Sequence, residues 1–208
     1  TPRHLAISAD GNSLYVTLFI TPRLPGESTR QLNLNSSGGQ MYVVRTSDMA
    51  VLSDVKLLLR VNGPSESTGP GIPNYLNAPV ITPDGDWAFI PSKQDNIDAG
   101  SMRLGLGMTF DHRVRATTSR VRLPSATANG LEITNARIDH DNASLATGAA
   151  INGDASYMFV ALETARQVAV FDMRQNIEVA RIAVGRAPQG IALSSDGRRL
   201  YVHNFMDR

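Results

Sequence analysis

Cysteine is absent from the 208 residues. Its absence removes disulfides, thiolate metal sites, a cysteine nucleophile and a covalently attached c-type haem from this chain's own chemistry. Long apolar runs are absent too. No window approaches the roughly 18 consecutive apolar residues that a membrane-spanning helix needs. Neither sign of charge is in excess, because 20 Lys and Arg face 19 Asp and Glu. A near-neutral chain gives no general electrostatic reason to expect nucleic acid or an anionic membrane as partner. No stretch carries a sustained 3.6-residue apolar period, so few helices are expected. What remains, 42% hydrophobic and 19% charged residues, is ordinary globular composition and excludes a fully disordered chain. Thr1-Pro2-Arg3-His4 opens without Met or a signal peptide, and Asp207-Arg208 follows a strand-like run, so both ends read as cut.

Self-similarity is the strongest positive signal. The run from Pro2 to Val16 and the run from Pro188 to Val202 are identical at eight of fifteen positions without a gap. Two weaker copies lie between them, Val80 to Ile90 and Ala149 to Val160. Each is a short apolar run, a polar turn on Asp10-Gly11, Asp84-Gly85, Asp154-Ala155 or Asp196-Gly197, and a second apolar run. Asp-Gly supplies the positive φ of a tight connection, so each copy reads as two antiparallel strands. Asp154-Ala155 lacks the glycine and is expected to turn differently. The Asp spacings are 74, 70 and 42, and the last matches the roughly 40–45 residues of a four-stranded propeller blade.

The uninterrupted last interval predicts strands at 157–162, 167–172, 177–184 and 191–194, with turn signals between them. The earlier intervals repeat this order with insertions at 21–39, 60–75 and 91–115. The first two are rich in Pro, Gly, Ser and Asn, as surface loops are. The third alternates Leu104, Leu106, Met108 and Phe110 and is expected to carry an extra strand or hairpin. Val51 to Leu59, Arg120 to Leu123 and Leu131 to Ile138 read as further strands. The expected fold is all-β: one β-propeller segment over 1–208, of about four antiparallel blades near 1–59, 76–138, 146–184 and 187–208. The alignment predicts that the first blade lacks its inner strand and the last its outer one. The chain is then an incomplete part of a larger ring of about six to eight blades.

The run from Val179 to Val202 resembles the YVTN-type β-propeller repeat, on Val184-Gly185, Pro188, Gly190, Ser194, Asp196-Gly197 and Leu200-Tyr201-Val202 followed by His203-Asn204. The first copy, ending Leu14-Tyr15-Val16-Thr17, fits nearly as well, and residues 18–150 fit loosely. Ser92-Lys93-Gln94-Asp95-Asn96 and the ending His203 to Arg208 also resemble propeller segments of large bacterial exported proteins, some joined to di-haem, peroxidase-like cytochrome c domains. The resemblance implies a periplasmic or extracellular location, the remaining blades of the same polypeptide as partners, and haem only in a neighbouring domain.

Candidate sites are few. Asp139-His140-Asp141-Asn142 places carboxylates and an imidazole close enough to hold a metal or a proton-transfer pair, so Asp139, His140 and Asp141 are the metal candidates. A turn rich in Asp and Asn is equally what a strand connection uses. Asp111-His112 has similar content inside an insertion, and His4 and His203 read as surface or turn histidines. Ser195 lies in a hairpin turn rather than a nucleophile elbow. Ser36-Ser37-Gly38-Gly39 precedes a strand rather than the helix of a phosphate cradle. Trp87 reads as core, and Arg113 with Arg115, or Arg120 with Arg122, alternate along strands and share a face. The resemblance implies a bacterial source, which makes the sequons at Asn35 and Asn142 incidental. No catalytic or cofactor-binding residue is expected within the segment. The function expected is a non-catalytic scaffold or binding module of a larger exported bacterial protein, associated with a cytochrome c-type redox domain. The alternative is a propeller enzyme, a lactonase or a quinone- or metal-dependent oxidoreductase.

Overall fold

A strand of alternating apolar residues buries one face, so several such strands joined by tight turns have to stack sheet on sheet. The computed structural model describes residues 1–27, 38–61, 69–96 and 114–207. Within them the chain forms four antiparallel sheets in sequence order. The first holds β1 (Pro2–Ile7), β2 (Ser13–Leu18), β3 (Gly38–Arg45) and β4 (Val51–Leu58), paired as consecutive neighbours. The second is built on the long central pair β7 (Trp87–Asp95) and β8 (Arg115–Arg122). Its inner strand is split into β5 (Ile72–Asn74) and β6 (Val80–Ile81), which pair with opposite ends of β7. Its outer strand is split into β9 (Leu131–Glu132) and β10 (Ile138–His140), which pair with β8. The third holds β11 (Ala146–Ile151), β12 (Tyr157–Leu162), β13 (Gln167–Asp172) and β14 (Ile177–Ala183). The fourth is the pair β15 (Pro188–Leu193) and β16 (Leu200–Asn204). The one helical element among the described residues is a 3-10 turn at Thr134–Ala136, and no helix there is long and apolar enough to cross a membrane.

Two apolar clusters join the sheets. Met41, Val43, Val55 and Leu57 of the first sheet meet Ala88, Ile90 and Val121 of the second. Phe89 and Ala116, on the opposite face of that sheet, meet Met158, Val160 and Leu162 of the third. Alternation along β7 therefore sends even-numbered residues to one neighbour and odd-numbered ones to the other.

Four expectations need correction. The first sheet has all four strands, since Pro2–Ile7 is itself the inner strand and pairs with β2. Among the described residues the fourth has two strands, β15 and β16, rather than three. Leu131 to Ile138 is broken by the 3-10 turn, because Glu132 and Arg137 are both drawn into a buried ion pair. Finally, Asp154-Ala155 makes the same turn as its glycine counterparts. Gly11, Gly85 and Gly197 have φ of 73°, 78° and 69°, and Ala155 has 52°. In each copy the amide at this position donates to a carbonyl three residues back, of Ser8, Thr82, Asn152 or Ser194, at 2.9 Å. The turn's side-chain network holds an alanine where glycine is otherwise preferred. Residues 104–110, Asp111-His112, Arg113 and the sequon at Asn35 lie outside the described residues.

Candidate functional site

The direction of the strands decides where function can sit. In the first and third sheets, the connections between first and second strands and between third and fourth lie at one end. Connections between second and third strands, and between sheets, lie at the other. At the first end every copy closes with a tight Asp turn. Asp10 Oδ1 accepts from Ser8 Oγ at 2.5 Å and from Asn12 N at 3.0 Å. Asp84 does so from Thr82 and Asp86, and Asp196 from Ser194 and Arg198, at nearly the same distances. In the third copy Asp154 accepts from Ser156 Oγ at 2.6 Å and Ser156 N at 3.2 Å. These hydroxyl and amide donors hold all four carboxyls below the ordinary aspartate range. The three long connections, 19–37, 59–71 and 96–114, all leave and re-enter the sheets at the other end.

A groove of about 630 Å³ runs along the inner strands of the four sheets. Small and apolar side chains line most of it, among them Ala6, Ile7, Val80, Ile81, Ala149 and Ile191. Ser8 and Thr82 are its polar groups at the Asp-turn end, while Arg3, His4, Asn77, Thr147, Glu163 and Gln189 lie at the end that bears the long connections. Beside them a column of rings and cations is stacked. The Arg3 guanidinium lies 4.1 Å from the Phe19 ring, Phe19 stacks on Tyr75 at 4.6 Å, and Nζ of Lys93, on β7, lies 4.1 Å from the Tyr75 ring. Tyr75 reaches this place with φ of 52°. Asn74 Oδ1 caps its amide at 3.0 Å and accepts from Thr21 N at 2.9 Å, which ties the first sheet to the second. His4 is half-buried against Phe19, and its pKa is lowered by burial and then by the Arg3 charge. Sequence reasoning placed His4 at the surface or in a turn and missed this column, because Phe19 and Tyr75 lie in irregular segments with no periodicity.

Asp139, His140 and Asp141 are not brought to one point. Asp139 and His140 lie in β10 rather than in a turn, and strand alternation sends them to opposite faces. Asp139 faces the first sheet, where Arg60 Nη2 donates to both its carboxylate oxygens at 2.5 Å and Gly69 N donates at 2.9 Å. Both side chains are buried, at 3% and 0% exposure. A second pair lies alongside. Arg137 donates to both oxygens of Glu132 at 2.7–2.9 Å, to Gln94 Oε1 at 2.8 Å and to Leu58 O at 2.7 Å. Burial lowers the Arg137 pKa against the opposing pull of Glu132. His140 faces the third sheet, with Nε2 2.9 Å from Thr118 Oγ1 and Nδ1 3.8 Å from Glu178 Oε2. Burial pushes Glu178 up, but His140 and Arg181 beside it outweigh that and bring it down to about 2. Asp141 stays at the turn, bonded to Asn142. Among the described residues, no three His, Asp or Glu side chains gather closely enough to hold a metal ion. Trp87 is half-buried with Arg120 stacked 4.2 Å from its ring, and His203 is exposed on β16.

No protein-family model and no curated protein matches this sequence. Solved structures do. Hydrazine synthase of Kuenenia stuttgartiensis superposes with a TM-score of 0.66 at 17% identity, over 98% of this chain and 56% of that one. A functionally unknown protein from Desulfotomaculum acetoxidans gives 0.58 at 11% identity, over 98% and 49%. A protein from Lactobacillus plantarum gives 0.59 at 14% identity, over 98% and 48%. The chain spans about half the length of these structures. At such identities the likeness is one of fold alone, and the fold is that of antiparallel β-propeller blades.

Proposed function

We propose that the chain is a non-catalytic β-propeller scaffold of the YVTN repeat type, belonging to a larger exported bacterial protein. One observation carries this reading: the asymmetry of the two ends. One end is closed by four near-identical Asp turns, and all three long connections leave and re-enter the sheets at the other end. A rigid array with its variable loops gathered at one end is how β scaffolds present binding surfaces. The groove interior offers small apolar side chains and no pair of acids flanking a common point, which suits contact better than proton transfer. On this reading the remaining blades belong to the same polypeptide. The loop end faces a protein partner or a haem-bearing cytochrome c-type domain, in the periplasm or outside the cell. Replacing 97–113 with a short Gly-Ser turn should leave the melting temperature near its original value and abolish binding of a purified c-type cytochrome in surface plasmon resonance. Unchanged binding would remove the loop end from the function. Turnover of a sugar lactone, or metal- or quinone-dependent oxidation of an alcohol, would replace the scaffold with the enzyme reading.

A further inference from the structure

An Asp or Asn directly before glycine is a chemically reactive step, because glycine has no Cβ to shield its amide nitrogen from the neighbouring side chain. The described residues hold five such steps: Asp10-Gly11, Asp84-Gly85, Asn129-Gly130, Asn152-Gly153 and Asp196-Gly197. A further one, Asn62-Gly63, lies outside the described residues.

The fold restrains four of the five. At Asp10, Asp84 and Asp196 the following glycine amide is engaged, donating to the carbonyl of Ser8, Thr82 or Ser194 at 2.9 Å. Each Oδ1 accepts from a hydroxyl and a main-chain amide. These donors keep the three carboxyls ionised, and a carboxylate resists attack at its carbon. At Asn152, Oδ1 accepts from Tyr157 N and Nδ2 donates to Ser156 Oγ, both at 2.8 Å. The amide cannot turn toward Gly153 without breaking both bonds.

Asn129-Gly130 has none of these restraints. The loop before it closes between Ser125 and Ala128, whose main chains exchange hydrogen bonds at 2.9 and 3.4 Å, and that closure stops one residue short. Asn129 is exposed, and neither its side chain nor the Gly130 amide has a hydrogen-bond partner among the described residues. Glycine is nonetheless required at 130, where a Cβ would come within 2.7 Å of Val55 Cγ2 and 3.1 Å of Pro124 Cδ. Two residues on, Glu132 accepts from Leu58 N at 3.0 Å and from the buried Arg137. The reactive step therefore sits where the second sheet closes on the first.

We infer that Asn129 is a modification site, deamidated by its own neighbouring Gly130 amide, and that the product loosens the contact between the first and second sheets. The Gly130 nitrogen gives its proton to solvent base and attacks Asn129 Cγ. The new C–N bond closes a five-membered imide, the Cγ–Nδ2 bond breaks, and Nδ2 takes up a proton and leaves as ammonia. One water then opens the ring, and nothing is oxidised or reduced. Opening at Cγ gives aspartate, and opening at the main-chain carbonyl gives isoaspartate. Either product adds a negative charge. Isoaspartate also adds one carbon to the main chain immediately before the packed glycine, two residues from Glu132.

Warm, mildly alkaline incubation of the folded chain, followed by peptide mapping with mass spectrometry, tests the site. Asn129 should convert about tenfold or more faster than Asn152, which must first break two hydrogen bonds. In urea that unfolds the chain, the two rates should become comparable. Equal conversion of the two in the folded chain overturns the inference. So does an Asn129 that stays intact when folded and reacts only in urea. Amide hydrogen exchange reads the consequence at Leu58, whose N–H donates to Glu132. It should exchange about fivefold or more faster in the converted chain, and should not change in identically incubated Asn129→Gln, a substitution at an exposed position. Leu58 exchange that is the same before and after conversion overturns the loosening.

Discussion

The second sheet meets the first and the third through junctions made from the same repeat, yet the two are closed by opposite chemistry. Toward the third sheet, Phe89, Met158, Val160 and Leu162 meet directly, and His140 Nδ1 lies 3.8 Å from Glu178 Oε2, a contact open to solvent on the glutamate side at 30% exposure. Toward the first sheet a similar apolar cluster is capped by two arginines and two carboxylates at 0–3% exposure. Burying four charges costs much of what their attraction returns, so the paired state adds little net stability while the half-paired state is very unfavourable. The difference sets up a division that substitutions can test: charge that selects one arrangement of neighbouring sheets, and apolar area that supplies the stability. Arg60 stands near the start of the connection 59–71, so this pairing also anchors the loop end.

The sharpest break of that comparison is Asp139→Ala, which strands the Arg60 guanidinium. It should cost about 3–5 kcal/mol in urea unfolding, and a cost below about 1 kcal/mol would mean that the charge is not buried. Replacing both members, Arg60→Met with Asp139→Leu, should recover most of the loss. Across the other junction, Met158→Ala should cost about 2–5 kcal/mol through its cavity. If a hydrophobic replacement of the charged pair costs as much as Met158→Ala, the division between register and stability is mistaken.

Smaller effects separate the turns. Gly197→Val should destabilise by about 1–3 kcal/mol, because a β-branched residue resists positive φ. Ala155→Gly should do the reverse and raise stability by up to about 1 kcal/mol, since the alanine already sits at φ of 52°. An identical melting temperature for both variants would remove backbone strain as the explanation. Glu178→Gln, which weakens the part-exposed contact with Arg181, should cost less than about 1 kcal/mol, as expected of a solvent-screened pair.

Acid reports on the same groups. Asp10, Asp84, Asp154 and Asp196 have lowered folded pKa values, so their contribution is complete above the unfolded value of about 3.9 and is lost as pH falls through the folded ones. Glu178 contributes in the same direction, complete above its ordinary 4.5 and lost toward about 2. Thermal melts between pH 6 and 2 should therefore decline below about pH 4, and Asp196→Asn should flatten that decline slightly. A melt insensitive to acid would mean that the turn carboxyls carry no folding linkage.

By itself the sequence determined the antiparallel strands, their order and the Asp turns, because these depend on residues within a few positions of one another. Alternation and positive φ are local properties, and Ser8, Asp10 and Gly11 carry them without help from the rest of the chain. Even so, Ala155 shows that the network around a turn can substitute for its glycine. What only tertiary structure decided is where distant residues meet. Asp139 and His140 are adjacent in sequence and suggest one ligand set, but the pleat of β10 sends one to Arg60 and the other to Glu178. Arg3, Phe19, Tyr75 and Lys93 form one stack although about 90 positions separate the first from the last. Local patterning specifies a strand and its two faces. Which face meets which partner is set by stacking whole sheets, and no short window of sequence contains that information.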